Sequence, residues 1–253
     1  MSFISSSRFI RLLFIFILLG SLTGCLHWVR AFQTYLQLDE FDEHFTINDN
    51  NAFIVYFNEP ILYSNDFVLL SKLQPSSKQA IENGEKWRYR FRKVDEKQKL
   101  FKPELSFFFD LDFNQQQRIS AWIFSSLFLE IAPPKFLEAS LRSLAGGKLD
   151  KEKRQLRANS HVKIDAKLPQ KSVVIQRLGE PIEIKDEPEQ EVYYYHFLLD
   201  SPNIEEGYED RALSVVQLTF DKKTKELTRM SGRFAGLKIS IKYRRYLEQA
   251  GNK

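Results

Sequence analysis

Two segments, Trp87-Arg-Tyr-Arg-Phe91 and Tyr193-Tyr-Tyr-His-Phe197, decide the fold, because each places aromatic side chains at every second residue. A period of two predicts a β-strand with one buried face and one more polar face. The two segments lie about 105 to 110 residues apart, and so do the segments on either side of them. The sequence therefore predicts an internal repeat.

Further matches occur in the same order around these two strands. The matched pairs are a strand-like segment at 53–57 with 162–169, a short helical segment at 68–75 with 173–181, a strand before a turn at 111–114 with 218–221, and a segment with two small residues between two strands at 124–131 with 234–241. Asn114 and Asp221 are residues that favour turns, so a hairpin is expected at each position. Gly179 followed by Pro181 predicts the end of a helix.

Each unit is predicted to contain a strand, a short helix and an antiparallel meander of about four strands, which gives an α+β fold with two tandem repeats. The units span residues 51–132 and 161–253, and a helical linker spans 133–160. Within the linker, Lys135 to Leu144 is predicted as an amphipathic helix, and a charged helix or linker follows from Leu149 to about Arg157.

A helical segment is expected before the first unit, at residues 25–50. Its apolar residues recur at helical spacing and are Trp28, Val29, Phe32, Tyr35 and Leu36. Four acidic residues between Asp39 and Glu43 would meet anionic headgroups on a membrane surface. We therefore expect this helix to pack on the first unit instead.

The N-terminal 25 residues resemble the export signal of a bacterial lipoprotein. Arg8 and Arg11 precede an apolar run at 12–19, which has the length of a signal core and is shorter than the roughly 20 residues that span a bilayer. Leu22-Thr23-Gly24-Cys25 resembles the lipobox. The resemblance implies a signal peptide at 1–24, cleavage between Gly24 and Cys25, and acylation of Cys25. An uncleaved anchor with an incidental cysteine is the competing interpretation.

The residue after the cysteine bears on the destination. Lipoproteins retained in the inner membrane often carry Asp there, whereas this chain carries Leu26. The resemblance therefore implies an anchor in the outer membrane, with the protein facing the periplasm. An inner-membrane anchor is the alternative.

Composition and motifs argue against several classes of function. The formal net charge is only +4, and runs of basic residues are interrupted by acidic ones, so nucleic acid is not expected as a partner. Cys25 is the only cysteine, which rules out an internal disulfide. The four histidines have no ligand spacing, so no metal and no cofactor are predicted, and Asp110 with Asp112 is explained more simply by a hairpin than by a catalytic carboxylate pair.

The second unit resembles the SmpA/OmlA module, which includes the BamE lipoprotein of the outer-membrane β-barrel assembly machinery. The resemblance rests on Leu178-Gly-Glu-Pro181, Tyr193 to Phe197 and Leu218-Thr-Phe-Asp221, and covers about a third of the chain. It implies a helix packed on an antiparallel sheet. The matched residues are turn and core positions, so the resemblance implies no binding residue.

Three functions remain open from the sequence. The first is a non-enzymatic lipoprotein that binds an envelope protein through an exposed sheet face and assists outer-membrane assembly or integrity, with Arg88, Arg90, Tyr194 and His196 as candidate contacts. The second is a periplasmic inhibitor or a lipid- or glycan-binding protein. An envelope hydrolase ranks last, because no catalytic motif is found and the chain is not expected to be an enzyme.

Overall fold

The computed structural model describes residues 26–145, 147–150, 155–157, 162–234 and 237–247. Within these ranges the chain has an α+β fold with one curled antiparallel sheet of eleven strands and a few short helices, which confirms the predicted class. Cys25 and His161 lie outside the described residues.

The helices and strands have the following bounds. The helices are α1 (Leu26–Leu36), α2 (Phe41–His44), α3 (Ser64–Ser71), α4 (Ser126–Leu129), α5 (Pro134–Arg142), α6 (Lys171–Leu178) and α7 (Glu209–Ala212), with 3-10 turns at Gln37–Glu40 and Tyr243–Arg245. The strands are β1 (Phe45–Asn48), β2 (Phe53–Phe57), β3 (Ser77–Ile81), β4 (Gly84–Val94), β5 (Ser106–Asn114), β6 (Ile119–Phe124), β7 (Lys148–Asp150), β8 (Gln155–Arg157), β9 (Glu183–Asp186), β10 (Gln190–Leu199), β11 (Leu213–Asp221), β12 (Leu227–Phe234) and β13 (Leu237–Lys242).

A single sheet joins the two halves of the chain. Its strand order is β1-β2-β6-β5-β4-β10-β11-β12-β13, with β3 paired to β4 and β9 paired to β10. Strands β4 and β10 meet in the middle in antiparallel register, with Lys93 opposite Phe197 and Phe91 opposite Leu199. The two long aromatic strands predicted from the sequence therefore lie side by side.

The sheet has a buried core face and a more exposed outer face. On β4, Trp87, Tyr89 and Phe91 are at most 4% exposed, and the arginines between them point to the outer face and are half-buried. On β10, Tyr195 and Phe197 are fully buried. The alternation predicted for both strands is confirmed, because successive side chains on a strand point to opposite faces.

The curl of the sheet is visible in the aromatic core. Strand β12 lies three strands from β4, which in a flat sheet is about 14 Å. Yet the Phe234 ring of β12 lies 6.2 Å from the Phe91 ring of β4 and 5.6 Å from the Phe107 ring of β5. The sheet must therefore curve around its core face. Phe128 of α4 is fully buried in the space that the curvature encloses, 5.4 Å from Phe234.

Two of the matched segments differ between the halves, which corrects the sequence prediction. Residues 124–131 were expected to contain two strands, but after β6 they form α4, whereas 237–242 do form β13. Helix α4 forms because its turn carries Phe128 into the core. Residues 162–169 were expected to be a strand, but they form only an isolated bridge at Ile164, which pairs with Leu247.

The linker is helical only in part. Helix α5 begins with Pro134 at its first turn, a position where the missing N–H of proline costs nothing, and it buries Phe136, Leu137 and Ala139. This confirms the predicted amphipathic helix. Residues 148–157, predicted as a helix or linker, instead contain the paired strands β7 and β8.

Helix α1 packs on the first half through polar side chains. Arg30 donates two hydrogen bonds to Asp66 of α3, which is fully buried, and the Tyr35 hydroxyl donates to the Gly147 carbonyl. The apolar side chains that the sequence predicted at this contact are instead exposed, by 45% to 50% for Trp28, Val29, Phe32 and Leu36. The helix was predicted correctly, but the face by which it packs was wrong.

Candidate functional site

The four candidate contacts lie on the outer face, spread along two antiparallel strands. Strands β4 and β10 pair only between Val94 opposite His196 and Phe91 opposite Leu199. Because the strands run in opposite directions, Arg88 and Tyr194 are about eight residues apart along the sheet, or about 26 Å. Arg90 and His196 are about four residues apart in the same register, or about 13 Å, so the arginines lie towards the Leu198 end of β10 and away from Tyr194.

The arginines of β4 are already paired within the chain. Arg88 binds Asp110 with two hydrogen bonds of 2.7 Å, and its guanidinium lies 3.9 Å from the centre of the Phe108 ring. The hydrogen bond to Asp110 raises the pKa of Arg88. Arg90 binds Glu104 and lies 3.2 Å from the Ser106 hydroxyl. A partner would have to compete with these contacts.

The neighbouring carboxylates are paired with two different cations. Asp110 is 3% exposed and forms an ion pair with Arg88, whereas Asp112 lies 3.6 Å from Lys86. Burial raises the pKa of Asp112. Two carboxylates that share one proton must lie against each other, but here each has its own cation. These two ion pairs join neighbouring residues of β4 and β5 and stabilise the pairing of the two strands.

The other two candidates form part of a surface that we call the β10–β11 patch. Its members are Tyr194, His196 and Leu198 of β10, and Leu213, Val215 and Gln217 of β11, which lie directly opposite them. Gln217 is exposed and the others are half-buried. Lys185 of β9 lies 4.7 Å from the centre of the Tyr194 ring. The patch combines apolar, aromatic and hydrogen-bonding groups, as protein-binding surfaces do.

A basic band borders this patch and was missed by sequence reasoning. On β12 and β13, Arg229 lies opposite Lys242 and Arg233 lies opposite Lys238, and all four are exposed. Arg233 pairs with Asp210 at 3.3 Å, and no ion pair of the other three occurs among the described residues. The two cations on each strand lie four residues apart and so share one face, a signal that sequence reasoning did not use.

A buried lysine was also missed. Lys93 lies on the core face and is 3% exposed. Its ammonium donates to the carbonyls of Leu178 at 2.7 Å and Glu180 at 2.6 Å, at the C-terminal end of α6. Burial lowers the pKa of Lys93. The only sequence signal is that Lys93 continues the buried series Trp87, Tyr89 and Phe91.

Two open clefts of about 520 and 550 Å³ occur among the described residues. In the first, Arg30 and Arg118 lie on Tyr63, each with its guanidinium 5.0 Å from the ring centre. The second lies beside Lys163, Lys167 and Arg244. Both clefts have charged side chains in their walls, so neither is the deep apolar pocket that a lipid-binding function would favour.

One group of potential metal ligands comes together in the part of the chain that the structure describes. It consists of Glu40, Glu43 and His44, whose ligand atoms lie within 4.8 Å of one another. His44 also lies 3.3 Å from Glu59. Surface ion pairing accounts for this cluster, and we assign no metal to it.

Comparison with known proteins gives no match: no family model, no curated protein and no solved structure is significantly similar to the chain. Among the helices that the structure describes, none is long and apolar enough to cross a membrane.

Proposed function

We propose that this chain is a non-enzymatic lipoprotein of the bacterial cell envelope that binds an envelope protein through the β10–β11 patch. In this proposal the chain is cleaved between Gly24 and Cys25, acylated at Cys25, and anchored in the outer membrane with its folded part in the periplasm. Two or more acyl chains make such an anchor stable, whereas a single chain is marginal.

The composition of the β10–β11 patch is the observation that carries the proposal. On β4 the outer arginines are neutralised by Asp110 and Glu104. On β10 and β11 the outer side chains include His196, Val215 and Gln217, which offer apolar area and hydrogen-bonding groups that a partner can reach. Protein interfaces combine a central apolar and aromatic area with a polar rim, and the basic band supplies part of that rim.

The proposal includes a duplicated architecture, supported by matching irregularities in the two halves. Tyr63 bridges to Arg118 just before α3, and Gln170 bridges to Glu226 just before α6, at the same interval of about 107 residues. The β5–β6 ladder shifts register after Asp112, and the β11–β12 ladder shifts after Thr219. Bulges and bridges of this kind are local features that amphipathic patterning alone does not create.

Reciprocal contacts between the halves support a rigid binding surface. Lys93 of the first half donates to the C-terminal carbonyls of α6 in the second half. Arg211 of the second half donates to the carbonyls of Leu70 and Ser71 at the C-terminal end of α3, at 3.1 and 3.0 Å. Cations are favourable at helix C-termini. These contacts, with the shared β4–β10 ladder, oppose hinge motion, and a surface held in one shape loses less entropy on binding.

A site-specific crosslinking experiment tests the proposal. A photoreactive amino acid at Gln217, which is exposed on the patch, should crosslink one reproducible envelope protein in intact cells. The same photoreactive amino acid in place of Lys97, which is exposed in the loop after β4, is the matched control and should not crosslink that protein. Val215→Glu should reduce the crosslink, whereas Val162→Glu, at an exposed valine outside the sheet, should not.

The opposite results would contradict the proposal. Equal products at positions 217 and 97, or no product at position 217, would exclude the patch as the binding surface. The lipid anchor is tested separately with Cys25→Ala, which should abolish labelling of the protein by a radioactive fatty acid.

A further inference from the structure

We propose that α1 is a membrane-interface helix, whose exposed apolar face enters the headgroup region of the bilayer that holds the acylated Cys25. This inference rests on the lipid anchor of the proposed function and adds the orientation of the folded part on the membrane.

The apolar side chains of α1 are gathered on one exposed face. Trp28, Phe32 and Leu36 follow one another at intervals of four residues, and Val29 lies three residues before Phe32, so these side chains are neighbours on the helix surface. With Leu26 they are 45% to 50% exposed. Among the described residues, eleven large hydrophobic side chains are strongly exposed, and five of them belong to this one helix.

The rotation of the helix is fixed by its other face. Arg30 is held by the buried carboxylate of Asp66, and Tyr35 by the Gly147 carbonyl at 2.5 Å. Just beyond the helix, Gln37 donates to the Glu59 carbonyl at 2.9 Å. The apolar face is thus turned away from the sheet by specific contacts. Folding alone does not bury it.

The position of the lipid anchor identifies the occupant of this face. Leu26 is the residue next to Cys25, so acylation of Cys25 places the first turn of α1 at the membrane surface. Helix α1 carries no acidic residue, and at 11 residues it is about 16 Å long. A helix of that length with leucine, valine and aromatic residues on one side is suited to the boundary between headgroups and acyl chains, where tryptophan is favoured.

The acidic residues after α1 fit a tilted helix. Asp39 to Glu43 follow in the 3-10 turn and α2, at the end farther from Cys25. Carboxylates are repelled by an anionic surface over a distance of about 8 Å at physiological salt. The helix therefore enters the interface by its N-terminal turns, and its C-terminal end with α2 rises away from the headgroups.

Nitroxide labelling of the full chain tests this orientation. Cys25 is the only cysteine, so acylation leaves no free thiol, and Phe32→Cys then introduces a single reactive site. Val173→Cys on α6 is the matched control, because Phe32 and Val173 are each 45% exposed. The labelled lipoproteins are reconstituted into vesicles of phosphatidylethanolamine with a minority of phosphatidylglycerol. Accessibility of each label to oxygen and to a water-soluble nickel complex is then measured by power saturation.

On vesicles, the label at position 32 should have less access to the nickel complex and more access to oxygen than the label at position 173. The label at position 173 should remain accessible to the nickel complex. Val29→Cys, on the same face, should behave as Phe32→Cys does. Equal nickel access at positions 32 and 173 on vesicles would overturn the inference, provided that both variants melt as the unsubstituted protein does.

The anchor and the helix can fail separately. Reaction of the unsubstituted chain with the nitroxide reagent would show a free Cys25 thiol and contradict the lipid anchor. The comparison of positions 32 and 173 is then repeated in the Cys25→Ala background. In the acylated protein, a label at position 32 that stays in water refutes the interfacial helix and leaves the anchor intact. In the Cys25→Ala background, a label that enters lipid shows that the helix binds the interface without the anchor, and one that stays in water refutes the inference together with the anchor.

Discussion

Replacing Lys93 with methionine should destabilise the protein, because its buried ammonium donates hydrogen bonds to backbone carbonyls at the C-terminal end of α6. Methionine keeps most of the aliphatic volume of the side chain and removes the ammonium. The carbonyls of Leu178 and Glu180 then lose the donor that lies 2.7 and 2.6 Å away. Lys93 is 3% exposed, so water does not readily replace the lost donor.

Two opposing effects set the magnitude. An unsatisfied buried acceptor costs about 1 to 3 kcal/mol. The ammonium also lies 4.5 Å from the centre of the Phe101 ring, so the substitution removes a cation–π contact as well. Against this, methionine avoids the desolvation of a charge, which can cost as much as a buried ion pair gains. Because two carbonyls lose one donor, we expect a net loss of about 1 to 3 kcal/mol in the free energy of unfolding at neutral pH.

The effect should depend on pH. Burial lowers the pKa of Lys93 below its ordinary value of 10.5. Between the folded-state pKa and 10.5, the unfolded chain binds more protons than the folded chain, so the contribution of Lys93 to stability rises with pH. The difference in unfolding free energy between the unsubstituted protein and Lys93→Met should therefore increase as pH rises towards 10.5.

Urea denaturation from neutral to alkaline pH measures this difference, with Lys97→Met at an exposed lysine as the control. Taking the difference between variants cancels the ionisation of the buried tyrosines, which both proteins share. If Lys93→Met were as stable as the unsubstituted protein, or more stable, the desolvation cost would exceed the value of the two hydrogen bonds. The proposed role of Lys93 in joining the halves would then be refuted.

Three further predictions concern the stability of the fold. Gly84→Ala should destabilise the protein by more than about 4 kcal/mol, because the added Cβ would lie 1.9 Å from the Phe113 carbonyl oxygen. Gly207→Ala meets no atom within 4 Å and should cost only about 1 to 2 kcal/mol, for its positive φ. Similar thermal denaturation of the two variants would contradict this. Phe234→Ala should cost about 3 to 5 kcal/mol by opening the aromatic core, and Phe32→Ala on exposed α1 should cost far less, which denaturation midpoints would distinguish. Asp221→Asn should flatten the acid side of the stability profile: hydrogen bonds from the Thr224 N–H and Arg244 hold the pKa of Asp221 at about 2, so its contribution is present above pH 3.8 and is lost as pH falls towards 2. An unchanged acid limb in that variant would show that the carboxylate does not contribute.

The candidate site was predictable only at the level of faces. Alternation placed Arg88, Arg90, Tyr194 and His196 on the outer face, because a strand directs successive side chains to opposite sides. It could not show that β4 and β10 pair over only a few residues, which places Arg88 far from Tyr194 along the sheet. The pairing register depends on which strands meet, and that information lies in no single segment.

The adjacency of cations across the basic band and the contact between Lys93 and α6 could not be predicted from the sequence, for the same reason. Arg229 and Lys242 are adjacent only because β12 and β13 form a hairpin, and Lys93 meets Leu178 across 85 residues of sequence. An isolated lysine in an aromatic strand gives no sign of the carbonyl that it binds. Likewise, nothing local indicated that α4 would form where a strand was expected, since the need for Phe128 arises from the curvature of the whole sheet.

By itself, the sequence determined the α+β class, the positions of the long strands, and the helices α1, α5 and α6, because periodicity, proline and glycine act through the backbone of the same segment. Tertiary structure decided which face of α1 packs on the body. The apolar spacing of Trp28, Phe32 and Leu36 predicted a buried face, but Asp66 is fully buried and needs the Arg30 cation, so the ion pair sets the rotation of the helix. That contact joins residues 36 positions apart, and it leaves the apolar face in the open beside the predicted lipid anchor.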